Sequence, residues 1–119
     1  MLNLSHKDLE VYKISLLLVK EVYAITKGFP KEEQFALVNQ LRRAIISVCS
    51  NIAEGAARRT KPDRRRFYEI SRSSLVEVDT QMEAALILNY TNKEQIKNIE
   101  NHLESVFKML SKMISNLEA

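Results

Sequence analysis

Apolar residues recur at helical spacing in four stretches of this 119-residue chain, separated by short turn signals. In the first, Leu9, Tyr12, Leu16, Val19 and Tyr23 form one stripe and Ile14, Leu18, Val22 and Ile25 a second, with Ser5 or Asp8 as the expected N-cap. Two stripes on one helix predict two buried contacts. Gly28 is the expected stop, because it tolerates the left-handed conformation after a last helical turn, and Pro30 then opens the next helix where no amide donor is needed.

The second stretch starts near Lys31, with Glu32 and Glu33 close to its positive dipole end, and runs through Phe35, Val38, Leu41, Ile45, Val48 and Ile52. At the standard rise it spans about 40 Å. Beside its apolar stripe lie the small residues Ala44, Ser47, Asn51 and Gly55, which would let a neighbouring helix come close. A glycine inside a helix costs roughly 1 kcal/mol relative to alanine, so a contact at Gly55 should offset it.

Thr60 reads as the N-cap of a third helix with Pro62 in its first turn, continuing to about Asn89 with Phe67, Ile70, Ser74, Leu75, Val78, Met82, Ala85 and Leu86 inside. If helices two and three form an antiparallel hairpin, residues whose numbers sum to about 120 lie level. That register sets Ser47 beside Ser73 or Ser74, Arg43 beside Glu77, and Glu54 beside Arg66. Tyr90, Thr91 and Asn92 make the last turn, before a heptad of Ile96, Ile99, Leu103, Val106, Leu110, Met113 and Leu117 that Phe107, Met109 and Ile114 widen.

Four helices joined by short turns predict an all-α, antiparallel up-down-up-down four-helix bundle, one domain over residues 1–119. A bundle needs about one apolar face per helix, so Ile14, Leu18, Val22, Phe107 or Ile114 should be left over for burial in an oligomer. A single cysteine, Cys49, cannot make an intramolecular disulfide, and the start MLNLSHKDLE lacks the charge and apolar order of a signal peptide. A reduced, cytoplasmic location is expected. The longest aliphatic run, Leu16 to Val19, falls far short of the ~20 residues of a membrane span.

Charge changes the picture. The net +3 hides a stretch from Arg58 to Arg72 in which seven cations, Arg58, Arg59, Lys61, Arg64, Arg65, Arg66 and Arg72, face only Asp63 and Glu69, a local +5 against −2 for the rest. Arginine outnumbers lysine six to one there, its planar fork suits phosphate oxygens, and Phe67 and Tyr68 adjoin it. A basic run is often only a solvated helix end, but this composition favours nucleic acid or another polyanion.

Other chemistry finds little support. A di-iron carboxylate bundle needs Glu-x-x-His pairs, whereas Asn3 and Ile99 stand three residues before His6 and His102. One cysteine and two distant histidines make no metal cluster, and both histidines read as surface residues. No Gly-rich phosphate loop or nucleophile motif is present, and Cys49 reads as a buried, inert thiol, so neither an enzyme nor a cofactor is expected. Asn51 and Glu54, one turn apart among apolar neighbours, read as a structural network in which a partly buried Glu54 holds Arg58 or Arg66. Arg42 and Arg43 against Glu77 read likewise as packing and register.

Asp8-Leu9-x-Val11-Tyr12, Phe29-Pro30-x-x-Glu33, Gln40-Leu41-Arg42-Arg43-Ala44, Ser47, Asn51-Ile52-Ala53-Glu54-Gly55, Arg58, Phe67 and Ser74-Leu75-x-Glu77 together resemble the proteins encoded in intervening sequences of bacterial 23S ribosomal RNA genes. The resemblance implies a left-handed bundle assembled as a homopentamer, without established catalytic activity, that binds nucleic acid, RNA before DNA. A related branch resembles the accessory protein of diversity-generating retroelements, which makes an adaptor docking a reverse transcriptase the alternative. Ser71 and Ser73 depart from the pattern, where alanine and glycine are expected, and add hydroxyls to the approach of helices two and three.

Overall fold

The computed structural model describes residues 1–118. Four helices, α1 (Glu10–Thr26), α2 (Leu37–Ala57), α3 (Lys61–Ile87) and α4 (Lys97–Asn116), run up and down in sequence. Each packs on two neighbours only, α1 on α2 and α4, and α3 on α2 and α4, so the bundle is square and α1 lies diagonally across from α3. One apolar seam fills its axis, with Leu18, Leu41, Ile45, Val48, Ile52, Val78, Val106 and Leu110 sealed from solvent. Burying each such aliphatic side chain contributes about 1.5–3 kcal/mol.

Only one face of α1 is buried, and it is neither expected stripe alone: Val11, Ser15, Leu18, Val22 and Thr26. Hydropathy passes over Ser15 and Thr26, but inside a helix each hydroxyl donates back to a carbonyl, Ser15 Oγ to Tyr12 at 2.6 Å and Thr26 Oγ1 to Val22 at 2.7 Å. Leu9 and Leu16, expected inside, are exposed, and of the expected surplus Leu18, Val22 and Ile114 are core residues. Neither Ser5 nor Asp8 caps α1; both belong to a short 3₁₀ turn, and Leu9 holds the N-cap position without a side-chain bond.

The second helix begins later than its pattern suggests. Lys31–Glu33 forms a separate 3₁₀ turn, and the backbone breaks at Ala36 (φ −122°, ψ −103°) before α2 starts. That break rotates Phe35 off the buried face and leaves it 92% exposed. Gly28 has no positive φ; the left-handed residue is Asn89, at φ 62°. Asn89 closes α3 with paired bonds, its own N–H to Leu86 O at 3.0 Å and that of Tyr90 to Ala85 O at 2.9 Å. The two turns at this end are tied together, since Phe29 is buried against the Tyr90 ring (centroids 5.5 Å apart) and Tyr90 Oη donates to Glu33 Oε2 at 2.7 Å.

α2 and α3 form the hairpin that the small stripe predicts. Ser47 and Ser74 share a hydrogen bond of 2.8 Å, and Ser71 Oγ donates to Val48 O at 2.8 Å. Near its start α3 buries Tyr68 and Ser71 where Phe67 and Ile70 were expected, because Gly55 leaves room for the Tyr68 ring and the Ser71 hydroxyl finds a carbonyl. Ser73 is exposed. On α4 the buried series ends Val106, Leu110, Ile114, with Met113 half-buried, as a straight 3.6-residue period drifts past a strict heptad.

Candidate nucleic-acid interface

The turn between α2 and α3 is built by capping. α2 ends when Arg58 takes an extended conformation, and α3 starts at Thr60, whose Oγ1 accepts the Asp63 N–H at 3.3 Å, with Pro62 in the first turn where its missing donor costs nothing. Six of the seven predicted cations, Arg58 to Arg66, therefore fall on one short turn and the first two turns of one helix. The positive end of the α3 dipole adds to their field.

Their geometry is uneven. Arg58 is held three ways: its guanidinium bonds Glu54 Oε2 at 2.6 Å, stacks over Phe67 with Cζ 4.7 Å from the ring centroid, and its carbonyl accepts Arg64 Nε at 2.7 Å. Arg66 covers the same ring at 5.3 Å, so Phe67, half-buried, carries two guanidinium groups. Arg65 faces Glu69 at 3.6 Å. Arg59 and Lys61 are exposed and have no ion pair or side-chain hydrogen bond among the described residues.

Arg72 does not join them. It lies over α4, donating to Ser111 Oγ at 3.1 Å and standing 5.9 Å from the Phe107 centroid, and is half-buried there. Tyr68 also turns away: its ring is 5% exposed, and burial pushes its phenol above the usual range against the opposing charge of Arg64. Only Phe67, of the two aromatics, faces the basic turn.

The expected network of Arg42, Arg43, Asn51, Glu54 and Glu77 separates into unrelated contacts. Asn51 Nδ2 donates to Ser47 O at 2.8 Å and Ser47 Oγ at 3.0 Å, extending the Ser47–Ser74 pair along the hairpin seam. Glu54 is not partly buried; its side chain is 52% exposed and binds Arg58 one turn on, since position 54 falls on the outer side of α2. Arg43 and Glu77 are level but exposed, with no ion pair between them. Arg42 instead reaches α1, donating to Thr26 Oγ1 at 3.0 Å and Tyr23 O at 3.3 Å while stacking 4.6 Å from the Tyr23 centroid. Thr26 inside the α1 stripe was the signal for that contact, and Gly55 inside α2 was the signal for Tyr68.

The histidines are not plain surface residues. The N-terminal 3₁₀ turn folds His6 back until it is buried edge-on against Tyr12, centroids 4.7 Å apart. His102 Nδ1 donates to Glu21 Oε1 at 2.8 Å, tying α4 to α1. Among the described residues no group of three or more His, Cys, Asp and Glu could hold a metal ion. Cys49 is buried, its thiol pushed up by desolvation. No helix of the described residues is long and apolar enough to cross a membrane.

A family model described as 23S rRNA-intervening sequence protein matches residues 7–112. Among solved structures, the chain is similar to a protein of unknown function from the S23 ribosomal protein family of Bacteroides thetaiotaomicron. That pair has a TM-score of 0.78 at 21% identity, covering 87% of this chain and 97% of the other, which establishes the shared bundle fold. No curated protein matches the chain.

Proposed function

This chain belongs to the 23S rRNA-intervening sequence protein family, and on that premise we propose that it is a non-enzymatic, homo-oligomeric bundle that binds nucleic acid, RNA before DNA, through phosphate contacts. The observation that carries the reading is the α2–α3 turn, where Arg59 and Lys61 extend unpaired beside two guanidinium groups fixed on Phe67. Arginines held by stacking keep N–H donors free for phosphate oxygens and lose little freedom on binding. The groups the turn offers are guanidinium and ammonium groups suited to phosphate oxygens, so low sequence specificity follows.

Assembly as a homopentamer belongs to the same reading. Leu16, Leu17, Ile46, Val76 and Phe107 are exposed on the isolated chain and are available for burial between copies. A ring would repeat the basic turn at one height and multiply weak phosphate contacts.

The test is binding of a labelled single-stranded RNA and of a DNA duplex across a salt series. For single strands each phosphate contact contributes about −0.7 to the slope of log K against log salt. Changing Arg59, Lys61 and Arg66 together to glutamine, which spares the Arg58–Glu54 and Arg65–Glu69 pairs, should flatten that slope by ~2 per protomer and weaken binding to unrelated sequences alike. Absence of binding by the wild type at low salt would replace this reading with an adaptor that docks a reverse transcriptase or other RNA-associated partner.

A further inference from the structure

We propose that the groove between α3 and α4 receives the outer face of α1 from a second copy of this chain, head to tail. The groove is an open cleft of about 370 Å³ whose walls carry Val76 and Phe107, both exposed. It continues toward the α3–α4 turn along Asp79, Glu83 and Glu100. Four carboxylates stand on its rim, Asp79 and Glu83 on α3 and Glu100 and Glu104 on α4, with Lys93 at the end near the α3–α4 turn and Arg72 beyond Phe107 at the other. Glu100 and Glu104 have Lys93 (3.0 Å) and Lys108 (2.8 Å) beside them, but Asp79 and Glu83 have no ion pair among the described residues.

The outward face of α1 has the complementary chemistry. Lys13 and Lys20, with Lys27 just past the helix end, run down its centre, and Leu9, Leu16 and Leu17 flank them, all exposed. At 100° per residue these positions share one side of the helix, directly away from the buried Val11, Ser15, Leu18 and Val22. Lysine stems can lie along the apolar walls while their ammonium groups reach the carboxylate rim, so leucines and charges match in one pose.

Two surfaces that match each other rather than themselves define a heterologous contact. Because α1 occupies the corner diagonal to α3, the strip and the groove point in different directions that are not opposite. Each copy can therefore give its strip to one neighbour and take a strip from the next, turning by a fixed angle each time, which makes a ring where the rotation closes. The inference rests on the oligomeric reading above and names its surfaces; it is independent of nucleic-acid binding.

Charge reversal tests it on the full chain, with mass measured by light scattering at micromolar concentration and helix content by circular dichroism. Lys13→Glu with Lys20→Glu, or Asp79→Lys with Glu83→Lys, should each reduce the wild-type oligomer to the 13.7 kDa single chain while helix content stays the same. Combining all four changes in one chain should restore the high-mass assembly, because opposite charges again face each other at every contact. A monomeric wild type would overturn the oligomeric reading and this one with it. An oligomeric wild type whose mass neither pair of reversals lowers would overturn the interface alone.

Discussion

Replacing Gly55 by alanine sets two local effects against each other, and the tertiary contact decides the outcome. Alanine is the better helix residue, so the backbone gains about 0.5–1 kcal/mol inside α2. A β-carbon at position 55, however, would lie 2.6 Å from Cε1 and 2.7 Å from Cδ1 of Tyr68. Ordinary carbon contacts begin near ~3.5 Å, so the ring must retreat by roughly 0.9 Å. It has little room to do so, because Tyr68 is buried in the α2–α3 seam. Overpacking of a close-packed site costs about 1–3 kcal/mol, and the net effect is a loss of ~1–2 kcal/mol. Removing the ring reverses the sign: in a Tyr68→Ala background the same Gly55→Ala change should stabilise by up to ~1 kcal/mol, giving a coupling energy of about 2 kcal/mol. Urea denaturation of the four chains measures that coupling, all at one protein concentration because assembly shifts the midpoint. A Gly55→Ala change that stabilises the wild type, or has equal effects in both backgrounds, would refute the claim that Gly55 exists to admit Tyr68.

Two further outcomes follow from the same geometry. Glu54→Gln removes one exposed pair between residues four apart on a helix, so the unfolding free energy from urea denaturation should fall by only ~0.3–0.5 kcal/mol; a loss of several kcal/mol would mean that Glu54 is desolvated in solution, as its sequence context suggests. The hydrogen bond to Glu33, then desolvation and the charges of Glu33 and Glu32, hold the Tyr90 phenol above its ordinary value of about 10. A raised folded-state pKa contributes stability that is fully present below the unfolded value and lost as pH rises through the folded one. Tyr68 and Cys49, both raised by burial, act in the same direction. Stability should therefore decline above about pH 9, where the unfolded thiol of Cys49 begins to ionise, and further above about pH 10 as the tyrosines follow; Tyr90→Phe should be least stable relative to wild type near neutrality, with the gap closing as the pH rises, and a gap independent of pH would show that the Tyr90–Glu33 bond does not form.

What the sequence determined by itself is the part of the fold that depends on local patterning. The number of helices, the Thr60 cap with Pro62, the level pairing of Ser47 with Ser74 and the gathering of Arg58 to Arg66 at one turn all follow from spacing and turn chemistry, which act over a few residues. Tertiary structure decided which side of each helix faces inward. Hydropathy could not place Ser15, Thr26 and Ser71 in the core: Ser15 and Thr26 bond carbonyls of their own helix, which do not say which side faces inward, and Ser71 bonds a carbonyl that only α2 supplies. It could not expel Phe35, whose orientation depends on the break at Ala36, nor send Arg72 to Ser111 on α4, thirty-nine residues away in the chain. Glu54 shows the limit most directly: apolar neighbours along the chain suggested burial, yet burial is a property of the opposing helix, and none covers that side of α2.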